Sequence, residues 1–382
     1  MSTGLLFFPR SPILFRENRL FSTPGVARTT DPAPSVFYGV VRTTYLLRHG
    51  VAFSRYAKPD VEDIEIRETV WSEIGSPTTS GHLRVKGPFP YCAGQWLFPP
   101  PHNYFTGPYT AVPAAPIEAE LTDLDEPAFV LRPLRLPEPA EAQPYQKWMT
   151  MPTLQTFLLE QAREEPAVAA YLAEHERHDW KEMDEFFSRE TRFGHRRDPV
   201  TLRPKEEHLF SLQMIRADDE YKAGAIRSAA WAVVVDGIDC AALANGSAWL
   251  GGRSRRCDVA VAPEVPDFGR MRSPLQAALD CRARCFLYMA TPAIFERGWR
   301  PHDFPGLRLV GAALRKAGAV GGWDVAANRA KPTHRTVPAG AVFFYEGNPD
   351  GGWADFIDAH QFGSISDDRP KAGFGIALVG VW

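Results

Sequence analysis

Apolar residues fall along this chain in short runs broken by proline and glycine, a pattern that predicts many short strands and few long helices. Leu5 to Phe8 and Ile13 to Phe15 read as strands, with Pro9 and Pro12 between them. A Pro/Thr/Gly-rich loop from Ser22 to Pro34 follows. Val36, Val40, Tyr45 and Leu47 then predict a helix over Ser35 to Arg48, with Ser35 as its N-cap. After a charged loop, Leu83, Val85, Phe89, Tyr91, Trp96, Leu97 and Phe98 give a strand, turn and strand between Gly81 and Pro101. Strand, helix and hairpin are the first two-thirds of a ferredoxin-like βαββαβ unit.

Residues 102–147 are Pro-rich and leave that core. Leu154, Phe157, Leu158, Tyr171, Leu172, Met183, Phe186 and Phe187, interrupted at Pro166, predict a charged helical insertion between Thr153 and Glu190. From about Glu206 strand signals resume, at Ile226 to Val235, Ala248 to Leu250, Val259 to Ala262, Cys285 to Ala290 and Ala341 to Tyr345. The chain therefore makes the same kind of α+β unit twice. In the terminal strand Ile376, Leu378 and Trp382 share one face and Ala377, Val379 and Val381 the other, so both faces are expected to be covered.

Composition narrows the function more than the fold. With 382 residues the chain suits two or at most three domains. Its net charge of −3 and pI of about 6.4 exclude a free-standing nucleic-acid binder held by bulk electrostatics, so any RNA contact must come from local arginine clusters. Five cysteines, Cys92, Cys240, Cys257, Cys281 and Cys285, form no C-x-x-C pair, which argues against a disulfide framework. Leu5 to Phe8 is too short for a signal-peptide core and no run is long enough for a membrane span. A soluble, cytoplasmic protein is expected.

Gly373-Phe374-Gly375 leads straight into the terminal strand, and glycines there let backbone N–H groups approach a phosphate. It is not a dinucleotide-binding turn, because the loop precedes a strand instead of opening a helix. Between Phe15 and Phe21, Arg16, Asn18 and Arg19 combine phosphate forks with flanking aromatics, a pairing suited to single-stranded RNA. A polar turn with both phenylalanines in the core explains the same residues. Gly251 and Gly252 precede Arg253, Arg255 and Arg256, which make either an anion site or a salt-bridged loop. Gly321 to Asp324 reads as turn chemistry anchored by Trp323, and Lys331 as a phosphate contact or a solvated lysine.

Enzymatic signals are sparse. His175 and His178 fall short of zincin spacing, and Ser254 lacks a nucleophile elbow. His49 follows the first helix, where it is either a general base toward an RNA 2′-hydroxyl or a helix-terminal histidine at the negative dipole end. The acidic groups Asp123/Asp125/Glu126 and Asp218/Asp219/Glu220 read as solvating loops, with metal binding as the alternative.

Taken in order, Ile13–Phe21, Gly39–Thr43, Trp96–Asn103, Leu250–Gly252, Phe286–Pro292, Gly322–Asp324, Lys331-Pro332, Pro338–Val342 and the Gly373–Gly375 loop resemble one family. It is the third subunit of the type III-B CRISPR Cmr effector complex, in the RAMP superfamily. The resemblance implies tandem ferredoxin-like (RRM-like) domains, here residues 1–205 with a Pro-rich and helical insertion at about 104–205, and residues 206–382. It also implies a subunit without catalytic residues, metal or cofactor. Its partners would be the 5′ tag of the guide RNA (crRNA), the large polymerase-like CRISPR subunit and the backbone RAMP subunit.

Carried over, Arg16, Asn18, Arg19, Arg42, Gly251, Gly252, Arg253, Arg255, Arg256, Lys331, Gly373, Phe374 and Gly375 form the candidate tag-binding surface. Leu20 stands where proline is usual, and Arg253 where an acidic residue commonly follows the glycines. Residues 104–205 match no family element and are the expected place for subtype-specific partner contacts. Two alternatives stay open: a RAMP endoribonuclease that processes precursor guide RNA with His49 as base, and a bracket that binds only protein.

Overall fold

The computed structural model describes residues 2–16, 25–60, 63–107, 109–113, 131–132, 134–135, 142–217, 220–222, 225–227, 229–252, 255–324 and 328–382. Strand β1 (Thr3–Pro9) is followed by helix α1 (Pro34–Arg48) and by strands β2 (Arg84–Cys92) and β3 (Gln95–Phe98). Then come β4 (Trp148–Thr150), α2 (Met151–Leu159), α3 (Pro166–His175) and β5 (Trp180–Lys181). A long ribbon, β6 (Phe187–Arg197) with β7 (Pro204–Ala217), precedes β8 (Ala230–Asp236), β9 (Gly246–Leu250) and β10 (Arg255–Val261). The rest is α4 (Arg272–Arg282), β11 (Arg284–Met289), β12 (Leu307–Ala313), β13 (Val342–Gly347), α5 (Gly352–His360), β14 (Gly363–Ser364) and β15 (Ile376–Val381).

These elements make a mixed α/β fold with two principal sheets. The first runs β5-β4-β3-β2-β8-β1-β10-β9 and the second β12-β13-β11-β15-β14. In the first, Leu5 of β1 lies between Val233 and Val261, both strands antiparallel to it. Because β8 is also antiparallel to β2, β1 and β2 are parallel, and α1 is the crossover that parallel strands require. In the second sheet β13 and β15 flank β11 antiparallel on either side, and α5 connects them.

One face of the first sheet buries Leu5, Phe7, Trp231 and Val233 against Phe37, Val41 and Tyr45 of α1. Its other face, with Leu6, Phe89, Ala232 and Val234, shares a core with the second sheet and with α2 and α4. Helix α2 sits at the centre of that core: Phe157 lies 5.3 Å from the ring of Phe286 and 5.9 Å from that of Tyr288. The Tyr288 hydroxyl, in β11, donates to the Pro99 carbonyl at 2.5 Å, just past β3. A buried hydroxyl needs such a partner, and this one ties the two sheets together.

Several expectations need correction. Pro34, not Ser35, opens α1; Ala33 is the N-cap and offers no side-chain hydrogen bond. Proline suits a first turn because it has no N–H to leave unsatisfied. Ile13 to Phe15 is not a strand but a single bridge to Ile215. The α-helical part stops at His175, a short 3-10 turn follows at Met183–Glu185, and Phe187 begins the ribbon. In the helical insertion Leu154, Phe157 and Leu158 are almost fully buried in the shared core. Strands β8 and β10, expected to open a second unit, hydrogen-bond to β1 instead. Helices α4 and α5 and strand β12 had no counterpart in the sequence reading. The expectation for the terminal strand holds, for every residue of β15 is buried. No described helix is long and apolar enough to cross a membrane.

Candidate nucleic-acid interface

Single-stranded RNA stacks on exposed aromatics of an RRM sheet, but here the aromatics of the inner strands are covered. Phe7, Phe89, Phe286, Tyr288 and Phe344 are all at most 1% exposed. Exposed aromatics and cations lie instead on the edge strand β9, where Trp249 is 51% exposed opposite Arg256, on loops and on the ribbon.

The first group gathers around the N-terminal half of α1. Arg42 donates to the Ser76 carbonyl at 2.6 Å, to the Gly75 carbonyl at 3.2 Å and to the Tyr56 hydroxyl. Its guanidinium also lies over the rings of Tyr38 and Tyr56, 5.5 and 5.6 Å from their centroids. Arg42 thus holds the Gly75-Ser76 loop, while its charge still acts at longer range. Partial burial, then Arg369 and Arg42, hold the Lys331 ammonium below the ordinary lysine range, with Asp324 opposing them. Arg369 pairs with Asp368 at 3.2 Å. Beside Lys331, a small hairpin of Trp323–Asp324 and Arg329–Ala330 leaves Trp323 58% exposed. Lys331 thus feels two further cations from distant parts of the chain, and a bound anion would relieve their repulsion.

The Gly373-Phe374-Gly375 turn packs against Tyr38 but is not a phosphate cradle. Phe374 is fully buried beside Ile294, Val320 and Ala372, with Ala33 and Tyr38 against it. The Gly375 N–H donates to the Pro292 carbonyl at 2.8 Å and the Gly373 N–H to the Pro370 carbonyl at 3.4 Å. At Gly373, φ is +92°, and a Cβ would stand 2.6 Å from the Gly87 carbonyl oxygen of β2. Glycine is required there for close approach to the first sheet. Lys371 completes the contact, donating to the Gly81 carbonyl at 2.7 Å.

A second group lies on the other flank of α1, where Phe15 approaches Phe37 at 6.4 Å. The Gly252 N–H donates to the Leu14 carbonyl at 2.8 Å. A Cβ on Gly251, at φ +71°, would meet the Ile13 Cγ2 methyl at 2.4 Å. These glycines bring the β9–β10 connection against Ile13 to Phe15, so the segment that ends at Arg16 lies beside the start of β10 with Arg255 and Arg256. Arg16 and Arg256 are exposed and Arg255 is half-buried. Asn18, Arg19 and Arg253, with Ser254, lie outside the described residues.

The model of the Cas_Cmr3 family of CRISPR-associated proteins matches residues 6–382. The chain belongs to the Cas_Cmr3 family. The resemblance to the third Cmr subunit is thereby borne out. Solved structures similar to this Cas_Cmr3 chain include a type III-B Cmr-beta complex bound to cognate target RNA, at 14% identity and TM-score 0.48, covering 89% of this chain and 86% of that chain. Another is the Csm3–Csm4 subcomplex of a type III-A interference complex, at 10% identity and TM-score 0.38, covering 91% and 97%. No curated protein matches the chain significantly.

The three histidines singled out in this Cas_Cmr3 chain have local partners. His49 sits at the C-cap of α1, its ring stacked on Tyr45 at 4.0 Å and its Nδ1 2.9 Å from the Tyr45 carbonyl. His175 repeats that arrangement on Tyr171 at the end of α3, and His178 pairs with Glu176 at 2.9 Å. Among the described residues no group of three His, Cys, Asp or Glu could hold a metal ion. Asp123, Asp125, Glu126, Asp218 and Asp219 lie outside the described residues, and Glu220 begins a two-stranded turn.

The sequence reading passed over the ribbon and Arg369. Strands β6 and β7 pair from Phe187↔Ala217 to Arg197↔Pro204. Near its base the ribbon rests Leu212 and Met214 on Leu14 and Ala27. Alongside these it carries exposed Arg189 and Arg192, and beyond them exposed Arg196, Arg197 and Arg203, with Phe193 75% and Leu209 60% exposed. An aromatic amid arginines is the composition that single-stranded RNA favours, and no core demands that these apolar residues be outside.

Proposed function

We propose that this Cas_Cmr3 chain holds the 5′ tag of the guide RNA in a type III-B effector complex and links the large polymerase-like subunit to the backbone subunits. The observation that carries this reading is the convergence of Arg42, Lys331 and Arg369 beside the exposed Trp323. Cations of this kind grip phosphates while an indole stacks on a base. Arg16, Arg255 and Arg256 extend the surface along α1, and the ribbon adds a basic finger with Phe193 on it. Base pairing supplies sequence recognition in an RNA-guided complex, so backbone shape and the tag are what this subunit reads.

The strand orders β10-β1-β8-β2 and β15-β11-β13-β12 support reading the fold as tandem ferredoxin-like units with strands added at the edges. The pairing of β8 and β10 with β1 favours a division in residues 263–271 over one at 205/206. The chain is proposed to hold RNA without cutting it, which the engagement of His49 with Tyr45 supports. A cytoplasmic location accompanies this role.

The test compares wild type with Lys331→Glu/Arg369→Glu for binding to tagged guide RNA at matched salt. A loss of about tenfold or more is expected, given the electrostatic share of RNA affinity. Unchanged affinity would refute the placement. Incubation with precursor guide RNA settles the alternative: cleavage that disappears in His49→Ala would favour the endoribonuclease.

A further inference from the structure

The outer edge of the first sheet carries an aromatic that neither core claims. In β9, Ala248 and Leu250 are buried in the core formed with α1, and strand side chains alternate, so Ser247 and Trp249 rise from the opposite face. Arg256 and Asp258 of β10 share that face, Arg256 directly opposite Trp249 and Asp258 opposite Ser247. The core between the two sheets takes Leu6 and reaches Phe8 of β1, but among the described residues none of β9 or β10 belongs to it. The covering therefore ends before the edge, and Trp249 stands half exposed beside an exposed Arg256. Asp258 is clasped by Arg10, whose Nε donates to its two oxygens at 2.8 and 2.7 Å. Among the described residues Arg256 pairs with no carboxylate, and no ring or cation stacks on Trp249.

We infer that Trp249 and Arg256 form a stacking platform for one unpaired nucleotide of a single-stranded RNA, its base on the indole and its phosphate on the guanidinium. Charge and setting decide the class of occupant. The chain carries a net charge of −3, yet this edge sets two arginines, Arg10 and Arg256, against one aspartate, and Arg10 and Asp258 neutralise each other. A protein partner that grips a tryptophan needs an apolar surround to exclude water, whereas the neighbours of Trp249 on this face are Ser247, Arg256 and Asp258. A base needs only one flat ring with a cation at hand. Cross-strand neighbours stand about 4.5–5.5 Å apart, within the reach of a single nucleotide, and a guanidinium forks onto phosphate. Every base has a face that an indole can stack on, so the platform holds the strand without reading it. This inference rests on the RNA-holding reading and adds a contact on a different element from Lys331 and Arg369.

The experiment measures fluorescence anisotropy of labelled, tagged guide RNA with the full chain across a salt series. Trp249→Ala is expected to weaken binding about tenfold at matched salt, the loss of one stacked base, and to leave the salt dependence unchanged. Trp249→Phe keeps a ring and should retain most of the affinity, which guards against a folding defect. Arg256→Ala should lower the slope of log affinity against log salt by about one, as removal of a single phosphate contact does. Unchanged affinity in Trp249→Ala overturns the inference. So does a Trp249→Ala chain that binds RNA normally but no longer enters the co-expressed effector complex, which would make a protein the occupant. If Lys331→Glu/Arg369→Glu leaves RNA binding intact while Trp249→Ala weakens it, the placement of RNA at Lys331 fails and the platform stands.

Discussion

Two glycine turns in this chain carry similar sequence signals and do opposite work. Gly373-Phe374-Gly375 is buried between the two sheets, its N–H groups engaged and its phenylalanine inaccessible. Gly251-Gly252 sits at the rim, pressed on Ile13 and Leu14 but followed by arginines that reach solvent. In both, glycine permits a close backbone approach. What differs is the neighbour: β2 backbone carbonyls in the first, a side-chain methyl and one carbonyl in the second. A glycine-rich turn next to basic residues therefore does not by itself mark an anion site; the direction of its N–H groups decides.

That contrast can be broken in graded steps. Phe374→Ala removes a fully buried ring and is expected to cost about 3–5 kcal/mol, read as a lowered urea midpoint. Next, Gly373→Ala forces a Cβ against backbone that cannot yield, at a cost of roughly 2–3 kcal/mol. Gly251→Ala meets chiefly a movable methyl and should cost only about 1–2 kcal/mol. Equal costs for the two glycine variants would erase the distinction. On the RNA side, affinity should fall as pH rises through the depressed pKa of Lys331, because the ammonium loses its proton there. Lys331→Arg should hold affinity across that alkaline range, and a profile unchanged by the substitution would detach Lys331 from the RNA. Smallest of all, Arg16→Ala is expected to weaken tagged-guide binding about threefold without a change in stability, as exposed cations do.

Elements with a strong local pattern were legible from the sequence. The apolar runs gave β1, the β2–β3 hairpin, β11, β13 and the doubly buried β15. The ribbon was misread because most of β6 beyond Phe187 is exposed without a sustained apolar alternation, so Phe187 was absorbed into the helical spacing before it. Helices α4 and α5 escaped because Pro274 and Gly352 stand near their starts and their apolar stripes are short. Arg42 and Lys331 were named from motifs. Their meeting with Arg369 is a tertiary event, made by residues far apart in sequence, and no spacing announces it.

The position of β1 carries a consequence for biosynthesis. Leu5 leaves the ribosome more than two hundred residues before either of its strand partners, Val233 and Val261. At ordinary elongation rates the strand waits on the order of 10–50 s with its hydrogen-bonding edges unmatched. During that interval a cell must shield Leu5-Leu6-Phe7-Phe8, an apolar strand with two open edges, from pairing with another chain. Chaperone demand and yield on overexpression should therefore depend on this nascent segment more than on the stability of the finished subunit.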